Sequence, residues 1–463
     1  SQMKIISKSF SACAFIASAT LLYTSTASAI PINFTVVSDA NTPEAAVANA
    51  LRNPNNTGVC GTIRSSEVLS PDQSHMLILC DALDGVTEAQ TGPAYTALSA
   101  RSMTSLTSFT ANSFISTLNI GDIAKRLAAL RRSAANSTKK SAALMNRKDP
   151  YAGLAALYAP TQLTGGGASA DEAGGLSDNR LSAYVSASAS DAEQNETSTL
   201  AGYESSTSSL LLGLDYRFSH NIFAGMAIKT LSGDINLDRN TGSVDLTNNS
   251  LSLYGSYYPS ENLYFQSALT VGQGSYDITR RMDFTLNAID FSEIATSSPD
   301  GNGYSLSLSS GYDHYFTGSG ISAVTDITLG YASADIDAFK ESGAQGFNLT
   351  VAEQSIESMT SKIGIQVSKA ISTSFGVILP EFGASWTHEF KADGEDIVAA
   401  FTLDPNNAFR FTTDERDSDF FILSLATSVV LPHGIMGYIQ YEKVFDIVDY
   451  DVGTLNIGAR IEF

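Results

Sequence analysis

Gly453-Thr454-Leu455-Asn456-Ile457-Gly458-Ala459-Arg460-Ile461-Glu462-Phe463, the last eleven residues, decide the fold. Successive side chains of an extended chain alternate between two faces. Leu455, Ile457, Ala459, Ile461 and Phe463 share one face, and Thr454, Asn456, Gly458, Arg460 and Glu462 share the other. A wholly apolar face opposite a polar one fits lipid outside and water inside, as in a strand of a transmembrane β-barrel. A solvent-facing strand of a soluble sandwich has the same period of two, so the rest of the chain must separate the two readings.

The other end favours the barrel. Met3 is followed by Lys4 and Lys8, an apolar stretch from Ala12 to Tyr23, and Ala27-Ser28-Ala29. A basic start, a short apolar run and an A-x-A site describe a secretory signal peptide over residues 1–29. The run is too short for a spanning anchor, which needs roughly 20 residues. Ser1 and Gln2 precede the expected start and read as a remnant of cloning. Beyond the leader no apolar run is long enough for a spanning helix, and a membrane protein without such helices must be a closed barrel. Charged residues make up only 16% of the chain, with 19 Tyr, 23 Phe and one Trp. Mean hydropathy is +0.01, as alternating strands average to neutral. A net charge of −21 argues against nucleic acid, which needs basic patches.

Cys13 lies in the leader, leaving Cys60 and Cys80 as the two cysteines of the exported chain. In an oxidising compartment such a pair reads as one disulfide. The alternative is a metal site, and no His or second Cys pair sits at ligand spacing.

Four segments follow: the signal peptide at 1–29, a small mainly α-helical region at 30–160, a linker at 161–179 and strands at 180–463. Thr42-Pro43-Glu44 and Ser70-Pro71-Asp72 are helix starts, each with an N-cap, a proline at the first helical position and an early acid. Met103, Leu106, Thr110, Phe114 and Leu118 continue a moderate stripe, and Ile123, Leu127 and Leu130 a further short helix. The linker is rich in Gly, Ala and Ser, including Gly165-Gly166-Gly167, which gives a flexible coil. Twelve strands are expected to start near Leu181, Ser206, Ile222, Val244, Leu263, Tyr304, Ile321, Val351, Phe375, Asp419, Ile435 and Asp451. Tight turns such as Ser219-His220-Asn221 and Pro432-His433-Gly434 alternate with longer connections such as 283–302 and 391–416. That alternation suits short periplasmic turns and longer outer loops, with both barrel ends in the periplasm. The fold class is therefore an all-β, 12-stranded antiparallel transmembrane β-barrel preceded by a small helical region. Tyr216, Tyr257, Tyr258, Tyr264 and Tyr315 near the short turns suit an interfacial aromatic girdle, although β-proteins use tyrosine commonly. Glu261-Asn262-Leu263-Tyr264-Phe265-Gln266-Ser267 spells the recognition sequence of tobacco etch virus protease, yet it keeps the strand alternation.

Two motifs carry a family resemblance. Pro380-Glu381-Phe382-Gly383-Ala384-Ser385-Trp386-Thr387-His388-Glu389-Phe390, and Tyr438-Ile439-Gln440-Tyr441-Glu442 with the terminal strand through Phe463, resemble the translocator domain of the autotransporter (type V secretion) family. Leu455, Ile457, Ala459, Ile461 and Phe463 also resemble the carboxy-terminal insertion signal of bacterial outer-membrane proteins. The resemblance implies a barrel in the outer membrane of a Gram-negative-type bacterium, an N-terminal part that passes through the lumen, and a helix left in the pore. It also implies outer-membrane lipid, the barrel-assembly machinery and periplasmic chaperones as partners. The chain departs from the family in its passenger, which is usually a long repetitive β-helix or a sizeable enzyme. Here the corresponding part is short and helical.

Charge placement adds an independent argument. From Arg180 onward acidic residues far outnumber basic ones, whereas before it the two balance. Lys125, Arg126, Arg131, Arg132, Lys139, Lys140, Arg147 and Lys148 form one basic run. A basic segment beside an acidic barrel suggests docking in the lumen, so residues 122–148 are expected as a pore helix. A solvated face outside the barrel, or attraction to anionic headgroups, explains the same run.

No catalytic constellation emerges, and no cofactor, metal or nucleic acid is expected. The histidines are His75, His220, His314, His388 and His433. His388 beside Glu389 could serve a rim hydrolase, but the family motif accounts for both. There is no G-x-S-x-G elbow, phosphate loop or H-E-x-x-H. Asn55-Asn56 and Asn248-Asn249 lie outside the expected pore helix, so self-cleavage is not expected. Three functions stay open: a translocator that displays its own helical segment, for example for adhesion; a structural or pore-forming barrel plugged by its basic helix; and a surface hydrolase. A monomer is expected, with its surface ligand unidentified.

Overall fold

The computed structural model describes residues 36–39, 42–52, 58–101, 103–109, 180–219, 221–260, 262–316, 319, 321–431 and 435–462. The expected signal peptide, the linker, the basic run from Lys125 to Lys148, His220, His433 and Phe463 lie outside these residues.

The chain starts with β1 (Val36–Asp39), α1 (Pro43–Leu51), α2 (Val59–Arg64), α3 (Pro71–Asp84) and α4 (Glu88–Leu98), and residues 103–109 are again helical. The strands follow as β2 (Leu181–Gln194), β3 (Tyr203–Arg217), β4 (Ile222–Leu237), β5 (Gly242–Tyr257), β6 (Leu263–Leu286), β7 (Ile289–Ser297), β8 (Asp300–Phe316) and β9 (Ile321–Ile336). Next come β10 (Phe339–Lys340), β11 (Leu349–Val351), β12 (Gln354–Lys369), β13 (Ile371–Ser372), β14 (Val377–Glu389), β15 (Asp396–Phe401) and β16 (Ala408–Thr412). The last three are β17 (Asp419–Val430), β18 (Met436–Phe445) and β19 (Tyr450–Glu462).

Twelve of these strands, β2–β6, β8, β9, β12, β14 and β17–β19, pair antiparallel in a ring. The ring closes where β19 pairs β2, from Tyr450 opposite Gln194 to Glu462 opposite Ser182. Closure leaves no unpaired edge in lipid. All twelve expected strands exist, each starting within four residues of its sequence signal.

The outer wall is the apolar face. Leu210, Leu212 and Leu214 of β3, Leu306 and Leu308 of β8, and Leu455, Ile457 and Ile461 of β19 all point outward and are exposed. Their neighbours Ser209, Ser307, Asn456 and Arg460 are buried inside. On the lumen side four tyrosines lie over glycines directly opposite them: Tyr184 on Gly213, Tyr254 on Gly225, Tyr264 on Gly311 and Tyr438 on Gly458. A Cβ at Gly213 would sit 2.3 Å from the Tyr184 ring. Glycine is what lets the ring lie flat on the neighbouring backbone. Tyr258 and Tyr264 are thus buried in the lumen and cannot join an interfacial girdle, whereas Tyr216 and Tyr257 do point outward.

Several strands outrun the membrane. About 10 residues suffice to span it, and β6 has 24. Along β6 the apolar face changes side without a break in register. Phe265, Leu269 and Val271 point outward, but beyond Gly274 the buried residues Tyr276, Ile278, Met282, Phe284 and Leu286 point inward. The stretch expected as a long loop at 283–302 is therefore a hairpin of β6 and β7, turned by Asn287 and Ala288, both at positive φ (51° and 60°). That is the geometry of a two-residue type I′ turn.

The helices form where their caps predict. Thr42 accepts the Ala45 N–H at 3.3 Å and Pro43 follows it. Ser70 and Gln73 make a reciprocal capping box at α3, and Gly85 ends that helix. At α4 the Gln90 side chain reaches back to accept the Thr87 N–H at 3.0 Å and the Thr87 hydroxyl at 2.8 Å.

Candidate functional site

The described residues between 36 and 109 are seated on the long-loop end of the barrel, opposite the two barrel ends. Leu51, Ile63, Met76, Leu79, Leu83 and Leu98 from the helices share one core with Leu237, Phe284, Phe291, Phe347, Phe401 and Phe409 from the loops. Burying each such side chain contributes about 1.5–3 kcal/mol, so helices and loops stabilise one another.

The β2–β3 loop and the starts of β3 and β12 grip the segment. Arg101 is 15% exposed and pairs with Glu44 at 2.9 Å and with Glu196 at 2.8 Å. It also donates to the Thr197 and Ser198 carbonyls at 2.6 and 2.8 Å. Thr104 and Ser105 donate to the carbonyls of Thr199 and Ala201, each at 2.7 Å. Thr107 donates to Gln354 at the start of β12, and Phe109 meets Tyr203 at the start of β3 edge-on at 6.0 Å. Helical residues 103–109 thus lie against lumen-side residues at the mouth.

The segment 391–416, expected as one long connection, contributes β15 and β16 to a small sheet ordered β1-β16-β15-β11-β10. Within it β1 pairs β16 in parallel, with Val36 opposite Ala408. Asp404, in the turn between β15 and β16, accepts from Thr62 of α2 at 2.9 Å and from Asn407 at 2.6 Å. Gly346 takes φ 108°, and its absent Cβ would lie 2.6 Å from the Asp72 carbonyl. A side chain there would push the loop off the first turn of α3.

A buried ion pair sits in this core. The Arg280 guanidinium on β6 grips Glu341 with two bonds, Nε to Oε1 at 2.9 Å and Nη2 to Oε2 at 2.6 Å. Nη2 also donates to the Phe347 carbonyl at 2.9 Å, and Glu341 accepts the Leu349 N–H at 2.7 Å. The two side chains are 2% and 1% exposed. Sequence reasoning passed over both residues. The available signal was Arg280-Arg281, a basic pair in an acidic region beside alternating apolar residues.

Cys60 and Cys80 are joined as a disulfide with a Cα separation of 5.6 Å, linking α2 to α3. A loop of that size gives about 3 kcal/mol in the chain-entropy model. Arg64 bridges Asp81 and Asp84 at 2.9 and 2.6 Å on the outside of the same helix pair. His75 of α3 lies between Phe291 and Phe347 and reaches Glu293 at 3.1 Å. Burial pushes the Glu395 carboxyl up, against a partial pull downward from Arg416 at 3.8 Å. Asp337 is likewise pushed up by burial and then by Asp300 and Asp335.

The lumen has two characters. One side, built from β2–β6 and β9, presents Tyr184, Phe223, Tyr254, Tyr258 and Tyr264 in one cluster. The other strands turn in polar residues, among them Lys362, Gln366, Glu381, Glu442, Asn456 and Arg460. His388 is not aimed into a cavity. It shares the outward face with Trp386 and Phe390, both exposed, and contacts Asp419 at 2.9 Å. Trp386 donates to the same Asp419 oxygen at 3.0 Å. The group forms a polar-tipped aromatic cluster on the wall, as suits a lipid–water boundary. Among the described residues no cluster of three His, Cys, Asp or Glu is placed to hold a metal. On β19 Leu455, Ile457, Ala459 and Ile461 form the outward face.

Comparison with known proteins places this architecture. Over 292 residues the chain is 27% identical to outer membrane protein A of Rickettsia conorii, covering 61% of this chain and 14% of that protein. Over 171 residues it is 30% identical to outer membrane protein B of Rickettsia japonica, covering 36% of this chain and 10% of that one. The chain therefore spans a small part of the length of these relatives. Among solved structures, the translocator domain of autotransporter NalP from Neisseria meningitidis matches with a TM-score of 0.48 and 14% identity, over 63% of this chain and 90% of that one. The β-domain of the Bordetella autotransporter BrkA matches with a TM-score of 0.47 and 15% identity, over 61% of this chain and 100% of that one. The family model "Autotransporter beta-domain" matches residues 183–442. That match takes in more than half of the chain and all but the closing strand of the ring, so the protein is an outer-membrane translocator barrel belonging to the autotransporter β-domain family.

Proposed function

We propose that the barrel exports its own N-terminal segment and keeps it at the cell surface as a cap on the outer loops. One observation carries this reading: residues 36–109 pack on the loop end, opposite both barrel ends. The chain must then return from Phe109 at the outer mouth to Arg180, whose carbonyl accepts the Arg217 N–H at 2.8 Å on the short-turn side. The lumen is the route that keeps polar backbone out of lipid. The basic run Lys125, Arg126, Arg131, Arg132, Lys139 and Lys140 suits a lumen lined by Asp313, Asp326, Glu381 and Glu442, as a helix that plugs the pore. Insertion is served by the barrel-assembly machinery and periplasmic chaperones, through the terminal strand with Leu455, Ile457, Ala459, Ile461 and Phe463. The role is non-enzymatic, and adhesion through the exposed face of the cap is the use that fits a fixed surface domain. The test is an epitope tag beside Asn55. Antibody labelling of intact cells is expected, and labelling only after permeabilisation sinks the reading.

A further inference from the structure

We infer that the outer loops are the docking surface for residues 36–109, and that contacts alone hold this segment on its own barrel, so that it is not a releasable passenger. Neither side has a complete core by itself. Below about 70–80 residues a single core rarely supplies enough stability without staples, and the segment has one disulfide. Its buried Met76, Leu79 and Leu83 meet aromatic residues supplied by the loops. The loops are equally incomplete without it, because Phe401, Phe409 and Phe411 are at most 1% exposed, and removing the helices opens that core to water. The polar contacts are spread over separate loops: Arg101, Thr104 and Ser105 on residues 196–201, Thr62 on Asp404, His75 on Glu293, and β1 on β16. A segment held at that many sites stays when one covalent connection is cut.

The inference deepens the proposed display at the surface, but its test is separate. A protease site within a Gly- and Ser-rich insertion, long enough to loop out of the mouth, is placed directly after Phe109 of the full chain. Cutting there frees the cap fragment from the basic run, so retention reports the cap contacts and not anything in the lumen. The protein is purified in detergent, cut to completion and run on a sizing column. The expected result is that the fragment co-elutes with the barrel and leaves it only in denaturant. Separation without denaturant overturns the inference. Arg101→Ala, which leaves the apolar core intact, is expected to hasten loss of the cut fragment while the barrel keeps its heat-dependent mobility on gels. Equal retention in that variant and in Phe401→Asp would also overturn it, since the named contacts would then not be what holds. If intact-cell labelling fails while the cut fragment still co-elutes, the display reading falls and the docking stands. Labelling with release sinks the docking alone.

Discussion

Replacing Arg280 by Met tests whether the cap core behaves as a folded interior. The guanidinium makes two bonds to Glu341 and one to the Phe347 carbonyl, in a site where both charged side chains are at most 2% exposed. Met matches much of its length and leaves the carboxylate of Glu341 buried with the Leu349 N–H as its remaining donor among these contacts. Removing one partner of a buried pair costs about 3–5 kcal/mol, which is roughly a 10²- to 10³-fold or greater rise in the open population of the cap. The pair itself is not intrinsically favourable, because both ions were taken out of water. Arg280→Met/Glu341→Leu should therefore recover most of the loss, and apolar replacement of buried pairs is often neutral or stabilising by about 1–4 kcal/mol. Hydrogen exchange by mass spectrometry in detergent reads this directly. Peptides covering 339–351 and 276–297 should lose protection in the single variant and regain it in the double, while peptides from β17–β19 stay unchanged. Unaltered protection at 339–351 in Arg280→Met, or a double variant as labile as the single, would refute the reasoning.

Three further outcomes follow from the same geometry. Gly213→Val drives a side chain into the Tyr184 ring and should cost about 1–3 kcal/mol as overpacking; urea unfolding should show the loss, with partial rescue by Tyr184→Ala, and no loss contradicts the ring-on-glycine packing. A carboxyl whose pKa is raised on folding stabilises the folded state while protonated, fully so below its unfolded value near ~4.3, and that contribution is lost as pH rises through the folded value. Glu395, raised by burial, should therefore make Glu395→Gln more stable than wild type at neutral pH, with the gap closing near about pH 4 in thermal melts; an equal gap at both pH values counts against it. Gln266 and Ser267, which flank the cleavage point in the protease sequence, lie in β6 and are paired to β5 and β8 on either side, so tobacco etch virus protease should cut the unfolded chain and spare the folded barrel; cleavage of the folded form means that this part of the wall opens.

The barrel was legible because lipid imposes a two-residue period on every strand, and turn sequences such as those at 219–221 and 432–434 punctuate it. The helix starts at Pro43 and Pro71 were legible because capping is local chemistry. α2 was not expected, since Gly58 offers no side-chain cap and six residues show little periodicity. Nor was α4, which carries Gly92 and Pro93 in its interior and holds through the Gln90 contacts with Thr87 and packing. The cap was not legible as one object. Arg280 and Glu341, or Thr62 and Asp404, are far apart in sequence, and nothing local says which distant segment will cover an apolar face. The girdle expectation failed at Tyr258 and Tyr264 because proximity to a turn does not set the face, whereas the glycine opposite Tyr264 does.

The reversal along the long strands shows how one chain serves two solvents. In β4 Met226 and Ile228 point outward, and past Thr230 the buried residues are Leu231, Ile235 and Leu237 on the inward face. β5 makes the same change in the opposite chain direction, from inward Val244 and Leu246 to outward Leu251 and Leu253. β9 turns from outward Ile327 and Leu329 to inward Ala334 and Ile336. At the height of the change Asp234, Asp245 and Asp277 stand opposite one another on the outer face. Carboxylates side by side are costly in hydrocarbon, so that row lies beyond the lipid. Above it the lumen face must be covered by something apolar, or the strands would expose Tyr276, Ile278 and Phe284 to water at the pore mouth. A barrel built to let a polar chain pass freely would keep its polar interior to the rim. This one changes to an apolar interior below the rim, which is the arrangement expected if the helical segment, once exported as proposed, is to stop there and stay.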